Sequence, residues 1–288
     1  MAQLRIGTCS WKYPSWQGLI YSATKGINFL EEYAQRYQTV EIDQWFWSLF
    51  GDHPVKLPRR KDAIEYHRSV SRNFRFSIKA PNSITLTHYY KKRKTDPLVT
   101  NPHFLSSDLW REFIACIDPL GDCLGPLILQ FEYLNKEKMK SQSFFQVCLG
   151  KFFDEIAPIG NLAVETRNPR YLNSGFFDFL EQYQVSPVLM QGYWMPSIVD
   201  GYRKWRDKII SHETVVVRLH GVNRTDMEKR TGKRWDRIIA PMDDDLGDIA
   251  DLVRDLVDNG VNVYLNVNNH YEGSAPLTIE RLSRLLDF

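Results

Sequence analysis

Two glutamates interrupt runs that otherwise read as buried strand: Glu41 within TVEID and Glu165 within LAVET. Two carboxylates brought across one cavity can act as general acid and base, the arrangement that glycosidases use. A basic set stands in similar runs: Lys79, Arg167, Arg218 and His220. Converging ammonium and guanidinium groups suit phosphate or carboxylate. The expectation is that Glu41, Glu165 and His220 move protons while Arg167, Arg218 and Lys79 hold an anion. A second assignment stays open for the carboxylates. Arg167 follows Glu165 on the same face of an extended strand, and a glutamate neutralised by an inward cation has a structural role only.

The stretch NVNNHYEGSAP adds amides and a helix start. Asn266, Asn268 and Asn269 could orient a substrate or a water. Gly273, Ser274 and Ala275 precede Pro276, a residue favoured at the first helical position, so free backbone N–H groups that suit a phosphate are expected here. The plainer alternative is that Ser274 or Ala275 only caps the helix. Asp43, Gln130 and Trp11 complete the expected lining, with Trp45, Trp47 and Trp194 as apolar walls.

A divalent metal is an alternative occupant, with His88, His220, His270, Glu41, Asp43 and Glu165 as its ligand pool. Against it stand the lack of His-x-His or H-E-x-x-H spacing and the repulsion of a cation by two inward arginines. Nucleic acid is an alternative partner. HYYKKRK carries Tyr89, Tyr90, Lys91, Lys92, Arg93 and Lys94, and MEKRTGKRWDR carries Lys233, Arg234 and Trp235, so aromatic rings could stack on bases while cations meet phosphates. A solvated basic loop is the plainer explanation of each. Cys9 and Ser10 make a weak nucleophile pair, because no G-x-S-x-G elbow surrounds them.

These residues need elements to hold them. Strand-like runs fall near Leu4–Thr8, Thr39–Ile42, Phe74–Ala80, Gly125–Phe131, Leu162–Glu165, Ser186–Met190, Thr214–His220 and Val261–Val267. Helical patterns fall near Ile27–Tyr37, Asp62–Val70, Ser107–Ile117, Ser141–Ile156, Ser174–Tyr183, Ser197–Ile210, Leu246–Val257 and Pro276–Leu286. Alternation of this kind over 288 residues predicts one (β/α)8 TIM barrel spanning residues 1–288 as a single domain. An open doubly wound sheet would show a G-x-G-x-x-G turn after its first strand, and none is present. Alternation along the strands then sets Val263, Leu265 and Val267 against Tyr264, Asn266 and Asn268, and Val215, Val217 and Leu219 against Arg218 and His220. The polar members would point to the barrel axis and gather at the C-terminal mouth, where barrel enzymes place their sites.

Net charge is only +2, so any nucleic-acid affinity must be local to those loops. The four cysteines form no C-x-x-C pair, and a reducing cytoplasmic location is expected. No apolar run is long enough to cross a membrane, and no membrane partner is expected.

RIGTCSW, TVEIDQWFW, FRFSIKAP with Thr87-His88, LGPLILQFE, AVETRNP, VVVRLHG and NVNNHYEGSAP, in this order, resemble the YecE-like family, also called domain of unknown function 72. The resemblance implies a TIM barrel and supplies no reaction. The chain departs from the family pattern at Asp43, where Asn is common, at Trp45-Phe46-Trp47, where Thr-Phe-Tyr is frequent, and at Met190-Gln191, where an Asp is frequent. The leading expectation is an enzyme with hydrolase-like acid–base chemistry on a small phosphorylated or anionic ligand. A nucleic-acid-binding or repair-type barrel and a non-catalytic ligand-binding protein are the alternatives.

Overall fold

A computed structural model describes residues 2–50, 54–91, 93, 95–157, 160–221 and 223–287. Eight parallel strands close into a barrel in sequence order. They are β1 (Leu4–Thr8), β2 (Thr39–Ile42), β3 (Arg75–Lys79), β4 (Leu124–Phe131), β5 (Leu162–Thr166), β6 (Ser186–Gln191), β7 (Thr214–Leu219) and β8 (Asn262–Val267). β8 closes on β1, from Leu4 opposite Val263 to Thr8 opposite Val267. The helices are α1 (Phe29–Ala34), α2 (Arg60–Arg68), α3 (Asn82–Thr85), α4 (Ser107–Ile117), α5 (Gln142–Ile156), α6 (Ser174–Gln182), α7 (Ile198–Ile209), α8 (Arg224–Thr231), α9 (Asp243–Asp258) and α10 (Ala275–Leu286). This is the (β/α)8 barrel that the alternating pattern predicts. Among the described residues no helix is long and apolar enough to cross a membrane.

The helices begin where the side chains say they should. Ser106, Ser141, Asn173 and Ser197 each accept a first-turn backbone N–H, from Leu109, Phe144, Phe176 and Asp200 respectively. A cap of this kind contributes about 1 kcal/mol by satisfying a donor that the helix itself cannot. Asp243, Asp244 and Asp245 occupy the first turn of α9, on the favourable end of its dipole.

Helices α3 and α8 are not foreseen by the sequence pattern. Within RTDMEKRT only Met227 and Thr231 are buried, so α8 carries no apolar stripe for a 3.6-residue period to reveal. It is held at its ends instead, by the Asn223 side chain on the Asp226 N–H and by Gly232 in the left-handed conformation.

The barrel has two packed interiors. The outward faces of the strands, including Val215, Val217, Leu219, Val263, Leu265 and Val267, join the helices in one large apolar core. Inside the barrel, Ile128, Ala163, Val188 and Val216 form a small buried apolar plug with Tyr264 against it. Two residues farther along the same strands, the inward positions are Gln130, Glu165, Met190, Arg218 and Asn266. The plug is the floor on which these stand.

Candidate active site at the barrel mouth

Arg218 is at the centre of the polar layer and is almost fully buried. Its Nε and Nη2 donate to the two carboxylate oxygens of Glu41 at 2.8 and 2.7 Å. Its Nη1 donates to Oε1 of Gln130 at 3.1 Å and pairs with Oε2 of Glu165. The second oxygen of Glu165 accepts Nε of Arg167 at 3.0 Å. Burial alone would raise the Glu165 carboxyl, but Arg218, Arg167 and Lys79 outweigh it and hold the group at about 2. Glu165 is therefore a fixed negative charge over the working pH range. Glu41 is equally buried and has both oxygens on one guanidinium. These geometries tie Glu41, Glu165, Gln130 and Arg218 to one another rather than to a ligand.

The groups around this layer are less constrained. Lys79 ends β3, and its Nζ lies 4.0 Å from the centre of the Phe46 ring. Among the described residues it has neither a hydrogen bond nor an ion pair. Burial and the neighbouring Arg218 charge lower its amine to about 8. Asp43, one residue past β2, is raised to about 6 by burial and by the Glu41 charge, against the pull of Lys79. Burial, with Arg218, Arg167 and Lys79, pushes His220 well below the ordinary imidazole value and keeps it neutral. Its Nδ1 lies 3.5 Å from the Tyr193 hydroxyl, and its Nε2 is buried with no partner among the described residues. Both side-chain polar atoms of Asn266 and Nδ2 of Asn269 are also buried without a partner.

The loops after β6, β7 and β8 are nested to bring these groups together. A side chain at Gly192 would come within 1.8 Å of the His220 carbonyl, and one at Gly221 within 1.7 Å of the His270 carbonyl. Only glycine permits so close an approach of two backbones. The nesting sets Tyr193 at a φ of 55°, uncommon for a residue with a Cβ. There its ring faces the Arg167 guanidinium at 5.2 Å and the His220 ring at 5.5 Å. Tyr193 is a mouth residue that strand alternation could not reveal, since it lies past the strand. The Gln191-Gly192 pair before it was the available signal. Tyr13 is another, its hydroxyl raised above the ordinary phenol range by burial and the Asp43 charge.

Several expected residues lie elsewhere. Trp11 is buried edge-on to Tyr66, 5.1 Å between ring centres, and walls a groove against α2 rather than the mouth. Gly273 is covered by Arg237 and Ile239, whose atoms fill the space where its side chain would be. The nearby N–H groups already have acceptors: Gly273 N donates to the Asn269 carbonyl and Ala275 N to Oδ1 of Asn269, both at 2.8 Å. The start of α10 is thus capped from inside the protein. Oδ1 of Asn268 is turned onto the backbone N–H of His270, and Nε2 of His270 faces Glu228 at 3.3 Å. Trp235 is buried against the His270 ring, so its face is closed to stacking. Part of the MEKRTGKRWDR segment is helix α8 rather than loop. Lys233 and Arg234 are exposed, and Arg234 pairs with Asp236. Tyr89 is half-buried and Tyr90, Lys91 and Arg93 are exposed, while Lys92 and Lys94 lie outside the described residues. Among the described residues no group of three or more His, Cys, Asp and Glu side chains is placed to hold a metal ion.

The family model described as "Protein of unknown function DUF72" matches residues 5–288. The chain belongs to this family. A DUF72 family protein from Enterococcus faecalis V583 is 19% identical, with 99% of this chain and 96% of that one covered and a TM-score of 0.69. One from Thermotoga maritima MSB8 is also 19% identical, with 99% and 100% covered and a TM-score of 0.68. At such identities the likeness speaks for the fold. No curated protein matches the sequence significantly. Gln191, in the Met190-Gln191 pair where the DUF72 pattern frequently has an Asp, points away from the mouth. Its Nε2 donates to Asp245 at 2.8 Å and its Oε1 accepts the Ile198 N–H at 3.0 Å, clamping β6 to α7 and α9.

Proposed function

We propose that the mouth is an active site in which a small phosphorylated or otherwise anionic molecule undergoes hydrolase-like acid–base chemistry. The observation that supports this most is the placement of Lys79 and Asp43 at the ends of the neighbouring strands β3 and β2, where each bears on the other's charge without forming an ion pair among the described residues. Their environments move an amine down to about 8 and a carboxyl up to about 6, so both can exchange protons near neutrality. Glu41 and Glu165, the first candidates for that work, serve in this reading as the partners of Arg218 and Arg167 beside the two groups. Arg167 is the anion holder. Its side chain is 19% exposed, and among the described residues only its Nε donates within the protein. Neutral His220 and the amides of Asn266 and Asn269 position the substrate. The unpaired cysteines support a reducing compartment such as the cytoplasm.

Calorimetry with inorganic phosphate and pyrophosphate at low ionic strength tests the anion site. Binding that weakens about 10-fold or more in Arg167→Gln is expected. No binding of either anion by the intact protein would remove the reading. Any turnover found should show a bell-shaped pH profile with limbs near 6 and 8.

A nucleic-acid surface is the second reading, favoured by exposed rings on the mouth loops. Trp47 and Tyr90 are 55% and 54% exposed with ring centres 6.3 Å apart, and Trp194 is 61% exposed. Single-stranded DNA binding with a steep salt dependence would support it, and no binding at low salt would exclude it.

A further inference from the structure

The geometry points to Lys79 as a nucleophile whose side-chain amine condenses with an aldehyde or ketone that also bears a phosphate or carboxylate, forming an imine inside the barrel mouth. This rests on the reading of the mouth as an anion-handling active site and names the reacting group within it.

Placement comes first. Lys79 ends β3 on the inward face and is partly accessible, so a small molecule entering the mouth can reach it. Its lack of a partner is the second point. Glu41 and Asp43 from the β2 side, Glu165 from β5 and Arg218 from β7 all bear on its charge, and Lys79 in turn bears on His220. Three carboxylates bear on it, yet none is paired with it among the described residues: Arg218 and Arg167 hold Glu41 and Glu165, and Asp43 forms no ion pair with it. A lysine serving only to balance charge would be expected on one of those carboxylates. The third point is the medium. The amine packs on the Phe46 ring, with the permanent charge of Arg218 nearby. An apolar contact and a neighbouring cation both disfavour the ammonium form, and together they are how a lysine becomes a nucleophile. With its amine lowered to about 8, Lys79 has roughly 100-fold or more of the neutral form at pH 7 than an ordinary lysine.

The chemistry closes without an outside reagent. The neutral amine adds to the carbonyl carbon, forming the N–C bond, and the proton shed by nitrogen goes to the carbonyl oxygen. Asp43, as the acid, delivers a proton to the resulting hydroxyl. The C–O bond breaks, water leaves, and the nitrogen lone pair closes the C=N bond as a protonated imine. Asp43 is left as the carboxylate. Arg167 takes the anionic group of the substrate.

The test uses the full chain with pyruvate and, separately, with dihydroxyacetone phosphate. Sodium cyanoborohydride reduces any imine to a stable secondary amine, and peptide mass spectrometry locates it. The expected result is an adduct on Lys79 formed about 10-fold or more faster than on any other lysine. Its rate should rise with pH to about 6, stay level to about 8 and fall beyond, because Asp43 must be protonated while Lys79 is neutral. Lys79→Arg, which keeps the charge, should show labelling only on other lysines. Adducts spread over the surface with no preference for Lys79, or no adduct with either compound, overturn the inference. Because the adduct is located in the unmodified sequence, the result stands even if a variant folds poorly. Phosphate calorimetry on the same preparation separates the two claims. Phosphate binding that depends on Arg167, with no adduct on Lys79, retires the imine and keeps the anion site, whereas loss of both retires both.

Discussion

Two adjacent layers of one barrel interior obey opposite rules. The lower layer, Ile128, Ala163, Val188 and Val216, is apolar and buried. Two residues up the same strands, Gln130, Glu165 and Arg218 are joined by Glu41 in a layer that is buried as deeply and is ionic. The lower layer explains itself, since removing apolar surface from water stabilises the fold. The upper one does not, because desolvating three charges costs more than their attraction usually returns. A buried ionic layer above an apolar floor makes sense as a rigid electrostatic base for the groups around it. Burial and the Arg218 charge lower both Lys79 and His220, while Glu41 and Glu165 oppose the shift at Lys79.

The sharpest way to break this contrast is to remove the hub. Arg218→Met leaves Glu41 and Glu165 buried without their shared partner and should lower stability by about 3–5 kcal/mol. Replacing the whole set, with Glu41→Leu and Glu165→Leu added, should restore most of that loss by making the upper layer resemble the lower. Chemical denaturation of the single and triple variants decides it. A triple variant as unstable as the single one would show that the charges themselves hold the barrel together.

Acid should attack the upper layer selectively. Glu165 has a folded value near 2 against an ordinary value of 4.5, so it binds fewer protons folded than unfolded. Its contribution is complete above the unfolded value and is lost as pH falls from about 5 toward 2. The shift corresponds to about 3 kcal/mol, which Glu165→Gln should remove from the pH dependence measured by denaturation. An identical acid limb in that variant would mean that other carboxylates carry it.

Strand alternation made much of this legible in the sequence. It placed Glu41, Lys79, Gln130, Glu165, Arg218 and Asn266 on inward faces, because a period of two needs no knowledge of the partner strand. It could not say which cation meets which carboxylate. Arg167 is the sequence neighbour of Glu165, yet Arg218 bridges Glu165 to Glu41 from 177 positions beyond Glu41, a choice set by barrel closure. Nor could it separate a helix start open to a ligand from one capped internally. Asn269 performs that capping at Gly273 and Ala275, and the segment through Arg237 and Ile239 covers it. Solvent exposure in loops was equally hidden: Trp235 is buried and Trp194 exposed, though both read as aromatic residues of the mouth.

At the rim the sign of the pH effect should reverse. Asp43 is raised from 3.8 to about 6, so it binds more protons folded than unfolded. Its ionised form opposes folding, and that cost is fully present above about 6 and disappears as pH falls toward 3.8. Asp43→Asn should therefore stabilise the protein at pH 7 by about 1 kcal/mol, after allowance for screening at a partly exposed site. The gain should vanish by about pH 4, within the range where loss of Glu165 ionisation weakens the layer below. Residues that reduce stability where they stand are characteristic of working sites rather than scaffold. Denaturation of Asp43→Asn at pH 4 and pH 7 reads this directly. A variant less stable than the parent at pH 7 would place Asp43 with the locked ions, and the distinction between a structural layer and a reactive rim would no longer hold there.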